Sequence, residues 1–342
     1  MKGERFTYRI VCSLLLIAGL LLPGAVRAKE SQLLSDQAKI YLVTCSPGQA
    51  LYEHFGHTAL MIIDEELGLQ EVYNYGIFDF DVDHFYWRFV RGETYYQLGK
   101  EQASSFVYSY LYYGRQVNLQ ELNLSPDDKD AIYRALIVNY YPENRYYLYN
   151  FVFDNCATRP YVLLKCQLSI VNCQLSSTYV GAEGQTYRQF IRRYIPRGSW
   201  ADLGINLLFG TKADQPMQGE QRLFLPEELM NYVSRAQLSD GTPLVKEESI
   251  QPFDIARVPW YATWYFGLAV LFVLLFALSI YDRRRGKRSR WADYILYGMY
   301  VALLALVTFL TFFSIHPLVG YGSYLLLIPS IHLCARIPYL WR

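Results

Sequence analysis

A cysteine and a histidine about a hundred residues apart are the parts of this chain best suited to be a thiol nucleophile and its base. In Tyr149-Asn150-Phe151-Val152-Phe153-Asp154-Asn155-Cys156-Ala157-Thr158-Arg159-Pro160 an aromatic and β-branched run stops at Asp154-Asn155, and a helix-compatible segment follows. Cys156 is therefore expected in the first turn of a helix, with Asp154 or Asn155 as N-cap. Backbone N–H groups at that position carry partial positive charge and favour a thiolate. A free thiol has a pKa of roughly 8.5, so a modest depression makes a nucleophile at neutral pH. The plainer reading is a small residue opening an ordinary helix.

Thiol catalysis needs an imidazole within hydrogen-bond reach of the sulfur, held in orientation by a third group. His54 and His57 lie three apart beside Gly56, where a strand begins. His57 is the candidate base, and His54 either assists it or caps a turn. A glycine before His57 lets the backbone approach closely where strand and cysteine helix meet. Asn74 is the candidate orienter, or else a turn-proximal asparagine bonding backbone. Two histidines without a motif such as His-Glu-x-x-His give no expectation of a metal, and burial as structural side chains is their alternative. No cofactor is expected. Arg159 is a candidate for holding a phosphate or lipid headgroup, against the commoner role of an ion pair. Ser46, after a strand and before Pro47-Gly48, is a candidate hydrogen-bond donor at the site.

The elements that would position these residues follow from pattern. Strands are predicted at Lys39–Thr44, Thr58–Ile63 and Glu71–Gly76, with the turn at Asp64–Leu69, and a helix over Asp83–Arg91. Strand-like runs continue between Tyr95 and Asn123. Ser125-Pro126-Asp127-Asp128 starts a helix that runs to about Tyr140. A strand over Tyr146–Phe153 then delivers Cys156, and Pro160 is tolerated because it falls within the first turn. Helices are expected at Tyr187–Tyr194 and Pro226–Arg235. Together these make an α+β domain over about residues 37–255.

The chain has 342 residues, 52% of them hydrophobic, more apolar than a wholly soluble protein needs. Lys2, Arg5 and Arg9 precede the apolar run Ile10–Leu22 and the small-residue pattern Val26-Arg27-Ala28, so residues 1–28 read as a secretory signal, with an uncleaved anchor as the alternative. Trp260–Ile280 carries no charge and has the length of a bilayer span, with Trp260, Tyr261, Trp264 and Tyr265 as an interfacial belt. Tyr294–Ile315 is a second span; Leu318–Leu333, with Gly320, Gly322 and Pro329, crosses or dips into the membrane. The transmembrane region thus occupies 260–342. Six of the 32 basic residues lie in Arg283–Arg290, which leaves 26 against 31 acidic residues elsewhere. By the positive-inside rule this cluster is a cytoplasmic loop rather than a nucleic-acid site. The exported part holds Cys45, Cys156, Cys166 and Cys173, too few for a disulfide scaffold; a Cys166–Cys173 bridge is permitted by spacing alone.

Three motifs together resemble a known family. They are Ser46-Pro47-Gly48 through Phe55-Gly56-His57-Thr58-Ala59-Leu60, then Tyr73-Asn74-Tyr75-Gly76-Ile77-Phe78-Asp79-Phe80, then Asp154-Asn155-Cys156-Ala157-Thr158-Arg159. The combination is similar to the periplasmic domain of Lnb-type lipoprotein N-acyltransferases of the bacterial inner membrane. Histidine on an early strand and Asn-Cys much later also resemble the permuted papain-like fold of NlpC-type hydrolases and the lecithin:retinol acyltransferase group. In the Lnb family the membrane region continues beyond the stretch matching His316-Pro317-Leu318, whereas this chain ends at Arg342. The resemblance implies that Cys156, activated by His57, takes an acyl chain from a phospholipid as a thioester. The α-amine of a diacylglyceryl lipoprotein's N-terminal cysteine would then accept it. The 32 tyrosines, with pairs such as Tyr112-Tyr113, Tyr140-Tyr141 and Tyr146-Tyr147, suit a surface that meets lipid headgroups and equally an aromatic core. A cell-wall cysteine peptidase of the NlpC type and a non-catalytic envelope scaffold are the competing functions.

Overall fold

Alternation of apolar residues along the early strands dictates a sheet with two covered faces. In the computed structural model, which describes residues 31–78, 83–170, 176–177, 184–253, 257–287 and 289–319, that sheet has seven strands. They are β1 (Lys39–Cys45), β2 (His57–Asp64), β3 (Leu69–Ile77), β4 (Tyr95–Gln102), β5 (Val117–Leu122), β6 (Tyr146–Leu148) and β9 (Val245–Ser249), in the order β6-β4-β3-β2-β1-β5-β9. Every neighbouring pair is antiparallel. A two-stranded ribbon pairs β7 (Ser176–Ser177) with β8 (Ala236–Gln237). The expected signal sequence, Cys173 and most of the third apolar stretch lie outside the described residues.

Ile40, Leu42, Leu60, Ile62, Tyr73 and Tyr75 point to one face, where α3 (Pro126–Tyr140), α4 (Thr158–Ile170) and α7 (Pro226–Val233) cover them. Val43, Cys45, Ala59, Met61 and Val72 point to the other, against Ala103 and Phe106 of α2 (Ala103–Tyr112). That helix lies inside the stretch expected to be strand-like. Its Phe-Val-Tyr composition favours a strand, but packing Ala103 and Phe106 one turn apart on the sheet wins over propensity. The helix at Pro126 begins as expected, with a reciprocal box: Ser125 Oγ accepts from the Asp128 N–H, and the Asp128 carboxylate accepts from the Ser125 N–H. Three further helices are α1 (Phe85–Arg91), α5 (Tyr187–Ile191) and α6 (Trp200–Leu208), the last without a sequence expectation.

The predicted strand over Tyr146–Phe153 is cut short at Leu148, and a turn closed by the Asn150–Asp154 bridge carries the chain to Cys156. Regular helix begins only at Thr158. The Arg159 N–H already bonds the Asn155 carbonyl at 3.2 Å and the Tyr161 N–H bonds the Ala157 carbonyl at 3.2 Å. Pro160, lacking an N–H, removes the bond between them. By its hydrogen bonds Asn155 is the N-cap and Cys156 the first residue after it.

Gly56, at φ +75°, has a fixed reason to be glycine: a Cβ there would sit 2.6 Å from the Cys45 carbonyl oxygen. The close approach is to β1, not to the cysteine helix. Because β1 is held by β2 and β5 on both sides, it has no room to yield. Gly56→Ala should cost at least about 2 kcal/mol, a fall of roughly 4–8 °C in Tm. Gly68→Ala, at φ +66° with open space around it, should cost near 1 kcal/mol. Differential scanning fluorimetry of the detergent-solubilised protein compares the two.

The two long apolar helices are α8 (Trp264–Arg285) and α9 (Arg290–Phe313), displaced by a few residues from the expected 260–280 and 294–315. Each is about 33 Å or longer at 1.5 Å per residue, enough to cross a hydrocarbon core. Both ends that touch the domain lie on its side of the hairpin. The Trp264 N–H donates to the Gly198 carbonyl at 2.9 Å, and the Ile315 N–H donates to the Arg91 carbonyl at 2.9 Å. The basic connection is at the far end.

Candidate active site

β2 and β3 stop pairing at Leu60↔Tyr73, although both strands continue, so their ends splay toward α4. Into this gap the Asn155 cap delivers Cys156. Its thiol meets the backbone N–H of Thr58 and of Cys156 itself. Gly76, at φ +95° in a β3 bulge, leaves the needed space: a Cβ there would lie 3.5 Å from Cys156 Cβ, 3.9 Å from His57 Cε1 and 4.0 Å from the Tyr147 hydroxyl. Cysteine and histidine are thus neighbours across one missing side chain. His57 Nε2 donates to Asn74 Oδ1 in a short hydrogen bond, which leaves Nδ1 as the basic nitrogen. The ring is further steadied by Tyr110 of α2, stacked at 6.3 Å between centroids, and Arg115 lies 4.5 Å over the Tyr110 ring.

Asn155 is 2% exposed and uses every polar atom of its side chain. Oδ1 accepts from the N–H groups of Ala157 and Thr158, each at 2.9 Å, and Nδ2 donates to the carbonyls of Phe151 at 2.7 Å and Phe224 at 2.8 Å. It therefore fixes both the cysteine and two walls of the adjoining cavity, which Phe151 and Phe224 line.

That cavity has a volume of about 540 Å³. Cys156, His57, Asn74 and Arg115 sit in its wall; the remainder is chiefly aromatic, including Phe55, Phe78, Phe85, Tyr96 and Tyr149, and it reaches His316 beyond the second apolar helix. The other sequence candidates are elsewhere. Arg159 makes a two-point ion pair with Asp154 at 2.6 and 2.8 Å, stacks 3.5 Å from the Tyr147 ring centroid, and lines a separate groove between α3 and α4. His54 caps a turn through Nδ1 and the Leu51 carbonyl at 3.2 Å. Ser46 ties β1 to the start of β5, its hydroxyl accepting from the Gln116 N–H at 2.8 Å and its carbonyl from Arg115 Nε at 2.8 Å. Cys166 is exposed on α4. Gly76, Thr58, Tyr110 and Arg115 carry no site expectation from the sequence; Gly76 and Thr58 stand there only as parts of strands and motifs, and Tyr110 and Arg115 left no signal.

Burial reverses the expected electrostatics. Loss of solvent pushes the Cys156 thiol up to about 11, against the opposing pull of the Thr58 and Cys156 N–H groups. Loss of solvent also lowers His57 to about 4; the bond to Asn74 opposes this and the Arg115 charge adds to it. With both shifts the resting pair is a neutral thiol and a neutral imidazole, an arrangement in which the imidazole can accept the thiol proton. Activation of the thiol by His57 should accordingly persist as pH falls through 6.5 and fail only near 4, measured as the rate at which an electrophilic probe labels Cys156. Stability follows the same window. Between 4 and 6.5 the folded chain binds fewer protons at His57 than the unfolded chain, so that contribution is full above 6.5 and declines as pH drops toward 4.

Fold and site define a membrane-anchored mixed α/β protein with a cysteine–histidine–asparagine cluster at the end of an aromatic cavity. The profile of the Lnb N-terminal periplasmic domain matches residues 27–193, and that of the Lnb transmembrane domain matches residues 260–342. By these two matches the chain is an Lnb-type protein, with a periplasmic domain and a C-terminal transmembrane region in the inner membrane. Membership makes it a membrane-associated protein of lipoprotein maturation. No curated protein and no solved structure matches the chain.

Proposed function

We propose that this chain is a cysteine-dependent N-acyltransferase on a permuted papain-like frame, moving an acyl chain from a phospholipid to the N-terminal amine of diacylglyceryl lipoproteins. The observation that carries this reading is the cavity: Cys156 and His57 stand at one end, and an aromatic wall extends to His316 at the membrane-spanning helices. An ester carbonyl entering from lipid meets the sulfur. His57 Nδ1 takes the thiol proton as the S–C bond forms, and backbone N–H groups beside the sulfur stabilise the oxyanion. The ester C–O bond breaks, the proton passes to the departing lysolipid hydroxyl, and a thioester remains. A neutral α-amine, with a pKa of about 7.7–8.0, then attacks. It gives its proton to His57, the C–S bond breaks, and the thiol is restored. Asn74 keeps the imidazole proton on Nε2 throughout.

Expression in cells that lack lipoprotein N-acylation tests this. Mass spectra of lipoprotein N-terminal peptides should gain an amide-linked acyl chain with the parent protein and not with Cys156→Ala. Unacylated peptides in both, with peptide fragments released from peptidoglycan, would assign the cluster to wall hydrolysis instead.

A further inference from the structure

We infer that helix α1 lies embedded in the periplasmic face of the inner membrane and that the cavity opens there, into the acyl-chain region rather than into water. The partner is the lipid surface itself, and the inference does not depend on the transfer chemistry. On this two-turn helix only Phe85 is buried, while Tyr86, Trp87 and Phe89 are 78, 54 and 48% exposed. Three neighbouring aromatics facing water would be an unusual apolar patch for so small an element.

The depth of α1 is set by its attachment to the membrane region. The Trp87 ring packs against Phe309 of α9 at 5.1 Å between centroids. Its last turn is bonded to the chain leaving that span: the Arg91 carbonyl accepts from the Ile315 N–H at 2.9 Å, and the Phe89 carbonyl accepts from His316 Nε2 at 2.7 Å. Gly92 permits this joint, since a Cβ there would lie 2.9 Å from the Ile315 side chain and 3.2 Å from the His316 nitrogen. α1 therefore lies level with the end of α9, where Phe312 and Phe313 are themselves exposed. Exposed aromatic side chains together with Arg88 and Arg91 in the last turn suit the boundary between acyl chains and headgroups.

The cavity rim points the same way. Leu51, Tyr52, Tyr86 and Phe89 line the cavity and are each nearly half exposed or more, so they mark its mouth. Two of the four belong to α1. A mouth set in this helix receives acyl chains sideways from the leaflet, without passage through water.

The test uses the full chain in phosphatidylethanolamine–phosphatidylglycerol vesicles doped with a phospholipid bearing a photoactivatable group at mid-chain. After irradiation and digestion, peptides from Phe85–Arg91 should carry lipid adducts alongside those of the two spans. Adducts confined to the spans would overturn the inference. In parallel, the emission lost in Trp87→Phe isolates Trp87. It should be quenched severalfold more by lipids brominated near the headgroup end of the chain than by aqueous iodide, and the reverse order would overturn it as well.

Discussion

Cys156→Ala is expected to abolish acyl transfer, with loss of at least about 10⁴-fold, while leaving the fold in place. The proposed thioester forms on this sulfur, so its removal leaves binding without the covalent step. His57→Ala should cost about 10²–10⁴-fold, because a thiol pushed up to about 11 has almost no thiolate to offer at neutral pH without a base beside it. Asn74→Ala should cost less: Tyr110 still stacks on the ring, and only the acceptor holding the proton on Nε2 is lost. With acceptor withheld, the parent should accumulate a hydroxylamine-labile acyl adduct on the peptide containing Cys156, and neither the Cys156 nor the His57 variant should. Thermal melts within about 1 kcal/mol of the parent would separate lost chemistry from lost structure. Retention of the cellular role by both variants would instead make the domain a scaffold.

What the sequence made legible were the local signals. Asp154-Asn155-Cys156 announces a cap and a first turn through short-range hydrogen bonding, and the capping residues sit next to the residue they position. The charge-free spans and their basic connection announce themselves by composition. Long-range facts were less accessible. Ser46, His54 and Arg159 lie close in sequence to the key motifs, yet each is turned away by a partner. Gln116 and Arg115 bond Ser46, the Leu51 carbonyl holds His54, and Asp154 with Tyr147 captures Arg159. Nearness in sequence does not say which side of a sheet a residue faces. The helix at Ala103–Tyr112 was hidden because its tyrosines carry strand propensity, and with it went Tyr110, the ring that steadies His57. The thiol's electrostatics failed for a related reason. A helix N-terminus is visible in sequence, whereas the burial that outweighs it exists only after folding.

The cap that delivers the cysteine should also be the least replaceable polar residue near the site. At an ordinary exposed N-cap, asparagine and aspartate are nearly equivalent, and alanine costs about 1 kcal/mol. Asn155 is different because its amide nitrogen donates to one buried and one half-buried carbonyl while its oxygen accepts from one buried and one half-buried N–H group. Asn155→Ala leaves all four without their partner, at about 3–5 kcal/mol. Asn155→Asp keeps the two acceptor bonds but turns its second oxygen toward the Phe151 and Phe224 carbonyls. Charged, it is repelled; protonated, it can satisfy only one of them. The cost should be about 2–4 kcal/mol, where Thr186→Asp at the cap of α5 should stay within about 1 kcal/mol. The walls carried by Phe151 and Phe224 would loosen with the cap, so single-turnover lysolipid release should fall in both Asn155 variants even at temperatures where they remain folded. An Asn155→Asp protein that melts and turns over like its parent would mean that the amide nitrogen holds neither wall.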